Sequence, residues 1–125
     1  MYSYSVTLSL LDRARQVVLN YEPNKDNSER FMMLYYRFHK AAKYISLNDQ
    51  DSLEDVCYFE VWDGHRVQEI VETFEGNYKF LYTDVGVKQA REALRDLCNL
   101  CEKLVEYCES FCWRLSTKDT KEKVA

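Results

Sequence analysis

Four of the chain's five cysteines crowd into one stretch, as Cys98-x-x-Cys101 and Cys108-x3-Cys112. Zinc asks for four thiolate or imidazole ligands in a tetrahedron. On a continuous helix all four thiols fall within one narrow angular band. The two pairs, however, stand roughly 15 Å apart at 1.5 Å per residue. One straight helix cannot close them around one ion, although each pair could supply half a site completed by a second helix or chain. Cysteine also packs as a small buried hydrophobe, and the band coincides with the apolar stripe of its segment. The expectation is a core role for Cys98, Cys101, Cys108 and Cys112, which are the metal candidates of the chain, with no metal and no cofactor bound.

The second possible chemistry is acid–base work by His39 or His65. Neither sits in a nucleophile elbow, a metal-pair spacing or a phosphate loop. His65 follows Asp63-Gly64 and is expected in an exposed turn. His39 is expected to share a helix face with the cations Arg30, Arg37 and Lys43. A solvated histidine is the plainer expectation for both, and no catalytic residue is assigned.

The third set is basic and aromatic. Arg30, Arg37, Lys40 and Lys43 interleave with Tyr36 and Tyr44 between Ser28 and Leu47, a composition suited to phosphate contacts and base stacking. The segment carries four Lys/Arg and one acid, whereas Asp49–Gly76 carries nine Asp/Glu and one Arg. Opposite poles in one small protein suggest that the basic face meets the acidic segment, within one chain or across a dimer. The net charge of -4 gives no overall attraction to a polyanion.

These residues are positioned by helices. At about 100° per residue, Phe31, Leu34, Tyr35, Phe38, Ala41, Ala42 and Ile45 form one apolar face. Met32, Met33, Tyr36 and Tyr44 are left among the polar residues behind it, so this helix should have neighbours on two sides. Ser28 is expected as its N-cap. Val87, Ala90, Leu94, Leu97, Cys101, Leu104, Val105, Cys108, Phe111 and Leu115 line a second long helix, capped by Thr83 or Asp84 and run to about Leu115. Tyr2–Leu10 alternates with a strand-like period of two, yet Leu10, Ala14, Val17, Val18 and Tyr21 give a helical stripe. The favoured assignment is a helix through Leu10–Tyr21 that recruits the earlier residues or leaves them extended. Ser52 with Asp55 could open a further helix. Val56–Trp62 before Asp63-Gly64 reads as a hairpin arm, but Val67, Ile70, Val71 and Phe74 have helical spacing, so helix–turn–helix is preferred. Asn77–Tyr82 is short and strand-like, or a last helical turn.

The chain has 125 residues, 46% hydrophobic and 30% charged, with one proline and three glycines. That suits one globular, glycine-poor and therefore helical domain. The expected fold is a mainly α bundle of four to five helices over 1–115, with 116–125 a disordered charged tail. The alternative is an α+β domain with a small antiparallel hairpin or meander within 56–82. No run of about 18 apolar residues offers a membrane span, and the N-terminus lacks a basic region before its apolar part, so no membrane partner is expected. The odd, clustered cysteines suggest a reducing, cytoplasmic setting. Tyr, Met and Arg are enriched at protein interfaces. The expected function is a non-enzymatic interaction module (adaptor, inhibitor or regulator) working through Arg30, Met33, Tyr36, Arg37, Lys40, Lys43 and Tyr44. Its partner is a protein or a second copy, with a homodimer the simplest form. The alternative is a nucleic-acid-binding or nucleolytic module on the same helix, with His39 as acid/base.

Overall fold

The computed structural model describes residues 4–21, 25–49 and 62–124, with the side chains of all of these but 25, 78 and 118–124. Five helices run through them: α1, Tyr4–Tyr21; α2, Lys25–Asn48; α3, Gly64–Gly76; α4, Tyr78–Leu81; and α5, Asp84–Val124. No strand occurs among the described residues, so the helical bundle is the fold. The 56–82 hairpin is not formed from Gly64 onward, and its first arm, like the helix proposed from Ser52, lies outside the described residues.

The helix ends follow from local chemistry. Asp63 caps α3, its carboxylate accepting from the Arg66 amide at 3.1 Å. This is why Asp63-Gly64 opens a helix rather than turning a hairpin. Thr83 caps α5 in the same way: the Gly86 amide donates to its hydroxyl at 3.1 Å, and that hydroxyl donates to the Phe80 carbonyl at 2.6 Å. Ser28 does not cap α2, which begins three residues earlier at Lys25 and carries Asp26 in its first turn, where the helix dipole favours an anion. At the other end of the chain α5 passes Leu115 and continues to Val124.

α1 takes up the alternating N-terminal residues because their pattern fits both periods. Tyr4 and Leu8 lie one turn apart and pack on the core, and Thr7 is fully buried. The strand reading leaves their backbone without a ladder partner, whereas a helix satisfies it internally. Val6 is the residue that does not fit and stays exposed.

α1 packs on α2 and α3, and α5 packs on α2 and α3, so α2 and α3 occupy opposite corners. The inner stripes meet as their periodicity requires. Phe31, Leu34, Phe38, Ala41, Ala42 and Ile45 of α2 and Ala90, Leu94, Leu97, Cys101, Leu104, Val105 and Cys108 of α5 are buried within one core. Each such Leu, Ile or Phe contributes about 1.5–3 kcal/mol through the apolar surface it removes from water. α1 and α3 complete the core with Leu10, Leu11, Ala14, Val17 and Val18, and with Val67, Ile70, Val71 and Phe74, beside the enclosed Trp62.

Candidate functional site on the outer face of α2

α2 and α5 run parallel with a constant register. Arg30 pairs with Glu102 and also donates to Asn99 at 2.8 Å; Arg37 pairs with Glu109 through two nitrogens, its Nε at 3.0 Å. The Cys98 thiol donates to the Asn27 carbonyl at 3.6 Å and the Cys112 thiol to the Ala41 carbonyl at 3.4 Å. Apart from the Arg30–Asn99 bond, which spans 69 positions, these contacts join residues 71 or 72 positions apart. Hydrogen bonding from Arg30 lowers the Glu102 pKa, and hydrogen bonding to Glu109 raises that of Arg37. These pairs are more than a third exposed, so each contributes about 0.2–1 kcal/mol. Their main effect is to fix the helix edges.

Within one chain, Arg30 and Arg37 are therefore held by acids other than those of the expected Asp49–Gly76 segment. The acids that hold Arg30 and Arg37 belong to α5. Glu75 instead pairs with Arg13 of α1 at 2.8 Å, and Arg66 bridges Glu69 and Asp96 at 3.3 and 3.2 Å. The acids at 51–60 lie outside the described residues.

Beyond that edge, the face of α2 opposite its core stripe stands open. Met33 is 66% exposed, Tyr36 67% and Leu47 76%. Lys40 and Lys43 are exposed beside them and Tyr44 is half-buried. Between this face and α5 lies a groove of about 470 Å³, lined by Arg37, Lys40, Ala41, Lys43, Tyr44, Leu47, Glu109 and Cys112. Its floor is apolar and its α2 rim cationic. Burial raises the Cys112 thiol pKa, which keeps it a neutral part of that floor rather than a thiolate. Trp113, 68% exposed, projects one turn beyond Glu109 from the same edge of α5.

Of the seven residues expected to form the interaction face, Met33, Tyr36, Lys40, Lys43 and Tyr44 lie on it. Arg30 and Arg37 are drawn to its α5 border. Leu47 belongs with the face, Trp113 stands exposed on α5 one turn past Glu109, and both were missed. Leu47 carried a signal, a full heptad beyond Lys40 on the same side. Trp113 carried none, because its place depends on where α5 lies against α2.

His39 does not share this face. Its ring lies 4.4 Å from that of Tyr35 and 5.9 Å from that of Phe38, and its Nε2 is buried without a hydrogen-bond partner among the described residues. It sits toward α1, where the Tyr35 hydroxyl donates to Asp12 and the Arg15 guanidinium lies 5.7 Å from the Tyr35 ring. The solvated imidazole beside a row of cations is thus corrected to a shielded one in an aromatic stack. His65 is exposed in the first turn of α3. Cys98, Cys101 and Cys108 are buried cysteines of the α2–α5 seam that form no disulfide among the described residues, and burial pushes the Cys101 thiol far above its ordinary range. No three potential metal ligands converge among the described residues, and no described helix is long and apolar enough to cross a membrane.

No protein-family model, no curated protein and no solved structure matches the chain.

Proposed function

We propose that the chain is a non-enzymatic protein–protein interaction module, an adaptor, inhibitor or regulator that works through the outer face of α2. One observation carries this reading: Met33, Tyr36 and Leu47, three large apolar side chains, are about two-thirds exposed or more on the side of the helix that the core does not use. A scattered exposed hydrophobe needs no explanation, but a run along one helix face bordered by an apolar groove is what a docking surface offers. Tyr and Met bring contact area, and Lys40 and Lys43 supply a polar rim.

The nucleic-acid alternative draws less support. Arg30 and Arg37 are already neutralised by Glu102 and Glu109, which leaves Lys40 and Lys43 as the cations of this face. Two lysines give a short phosphate track. A reducing, intracellular setting suits the α5 thiols, which form no disulfide among the described residues.

The test is affinity capture with two baits, the wild-type chain and a Met33→Ala/Tyr36→Ala variant with an unchanged circular dichroism spectrum. Bound proteins, including untagged copies of the chain, are identified by mass spectrometry. At least one identified protein should be held by the wild type and lost by the variant. Identical sets on both baits refute the reading.

A further inference from the structure

On the outer face of α2, residues recur at alternating spacings of three and four: Asp26, Glu29, Met33, Tyr36, Lys40 and Lys43. This is the a/d spacing of a coiled-coil seam. All six are exposed, and they span about 25 Å of helix at 1.5 Å per residue. In order, their character is acid, acid, apolar, apolar, base, base. Such a series is its own complement when read backwards. We propose that this face pairs with the same face of a second copy, antiparallel, about a twofold axis at the midpoint between Leu34 and Tyr35.

In that register each Met33 meets the partner's Tyr36 on both sides of the axis, giving a central thioether–aromatic layer. Each Glu29 meets the partner's Lys40, and each Asp26 the partner's Lys43. Every contact occurs twice, as an isologous interface requires.

Competing arrangements are poorer on the same residues. A parallel pair sets Asp26, Glu29, Lys40 and Lys43 each against its own copy, which places like charges together along most of the seam. An antiparallel pair shifted by one heptad places Lys40 against Tyr36, Lys43 against Met33 and Glu29 against Leu47, with no acid opposite a base. Arg30 and Arg37 flank the seam and would repel each other across the axis. Both are already bound by Glu102 and Glu109, so the α5 ion pairs remove that obstacle. Leu47 lies beyond the paired stretch and remains beside the groove.

One helix pair of this length buries less than a standard interface of about 800 Å² per partner. Dissociation is therefore expected in the micromolar range or weaker, and it should weaken further with added salt. This inference rests on the interaction-face reading but is narrower, and the experiment separates the two.

Sedimentation equilibrium is measured for the full chain, for Asp26→Lys/Glu29→Lys, for Lys40→Glu/Lys43→Glu, and for an equimolar mixture of the two variants. The wild type should dimerise. Each variant alone, with a seam of one sign, should lose at least tenfold in association, and the mixture should recover a heterodimer. If the first variant frays the start of α2, Glu29→Lys mixed with Lys40→Glu tests the inner pairs alone. A wild type still monomeric at about 0.5 mM overturns the proposal. So does a dimer that the reversals leave unchanged, or a mixture that stays monomeric. In any of these cases, capture of an identified partner that still requires Met33 and Tyr36 leaves the interaction-face reading standing.

Discussion

Gly86 offers a sharp test of the packing that sets α5 in place. A Cβ built there would lie 2.0 Å from the Phe80 carbonyl oxygen and 2.8 Å from the Leu81 Cα. Both are backbone atoms, so no side-chain rotation relieves the overlap. Restoring even a tight 3.0 Å contact requires the α4–α5 turn to open by at least 1.0 Å, the difference between 3.0 and 2.0. That turn is tied by Thr83 N to Phe80 O at 3.0 Å, Thr83 Oγ1 to Phe80 O at 2.6 Å and Gly86 N to Thr83 Oγ1 at 3.1 Å. Losing two or three of these bonds, at about 1 kcal/mol each, while disturbing the buried Leu81 beside them, gives an expected cost of about 2–4 kcal/mol for Gly86→Ala. The better helix propensity of alanine returns only about 0.5–1 kcal/mol. Gly76→Ala is the control, because a Cβ there meets nothing within 4 Å. It should leave stability within about 0.5 kcal/mol or raise it slightly. Urea unfolding followed by circular dichroism measures both. Equal midpoints for the two variants would refute the close-approach argument.

Three further expectations follow from the polar contacts. Hydrogen bonding to Asp12, then burial, holds the Tyr35 pKa above 10.0, so its contribution is complete below pH 10 and fades as pH rises through the folded value. Tyr35→Phe should cost about 0.5–1.5 kcal/mol at neutral pH and flatten the alkaline loss of stability, read from denaturation midpoints at pH 7 and above pH 10. For Glu102 the sign is opposite: hydrogen bonding from Arg30 holds its pKa below 4.5, so its stabilisation is present above pH 4.5 and lost as acidification passes the folded value. Glu102→Gln should therefore flatten the acid limb by up to about 1 kcal/mol, and a midpoint difference between pH 7 and pH 3.5 that matches wild type contradicts it. Among the α5 thiols, half-exposed Cys112 should be alkylated first and fully buried Cys101 only on unfolding. Timed labelling with peptide mass spectrometry checks the order, and equal rates at the two positions defeat it.

What could be read from sequence was whatever depends on a single helix. The stripe from Phe31 to Ile45 (its partly buried Tyr35 excepted), the stripe from Ala90 to Cys108 and the Val67–Phe74 repeat are buried as their 3.6-residue period requires. Thr83 as a cap was visible for the same reason, since its donor lies three residues away. Properties that depend on two helices were not visible. Arg30 and Arg37 looked like free cations because their glutamates lie 72 residues on, and the Asp49–Gly76 acids were nearer in the chain. His39 sits at the border between two faces of α2, and only the position of α1 decides which one it joins. Tyr4–Leu10 satisfied both periods at once, so the sequence alone could not choose between them.

The constant offset between α2 and α5 also bears on how the protein is made. The inner face of α2 is completed by residues that emerge from the ribosome only after another 71 or 72 have been added. At about 5–20 residues per second that is a delay of roughly 4–14 s. Through this interval the nascent chain carries α2 without its α5 partner on one side and with Met33 and Tyr36 exposed on the other. Antiparallel α1 can cover part of the inner side early, because it is already synthesised. A helix that is sticky on both sides for seconds is exposed to wrong pairing between neighbouring nascent chains. The ladder of Arg30 with Glu102 and Arg37 with Glu109 then acts as a late register check, since a slip of α5 by one residue would misplace both ion pairs together.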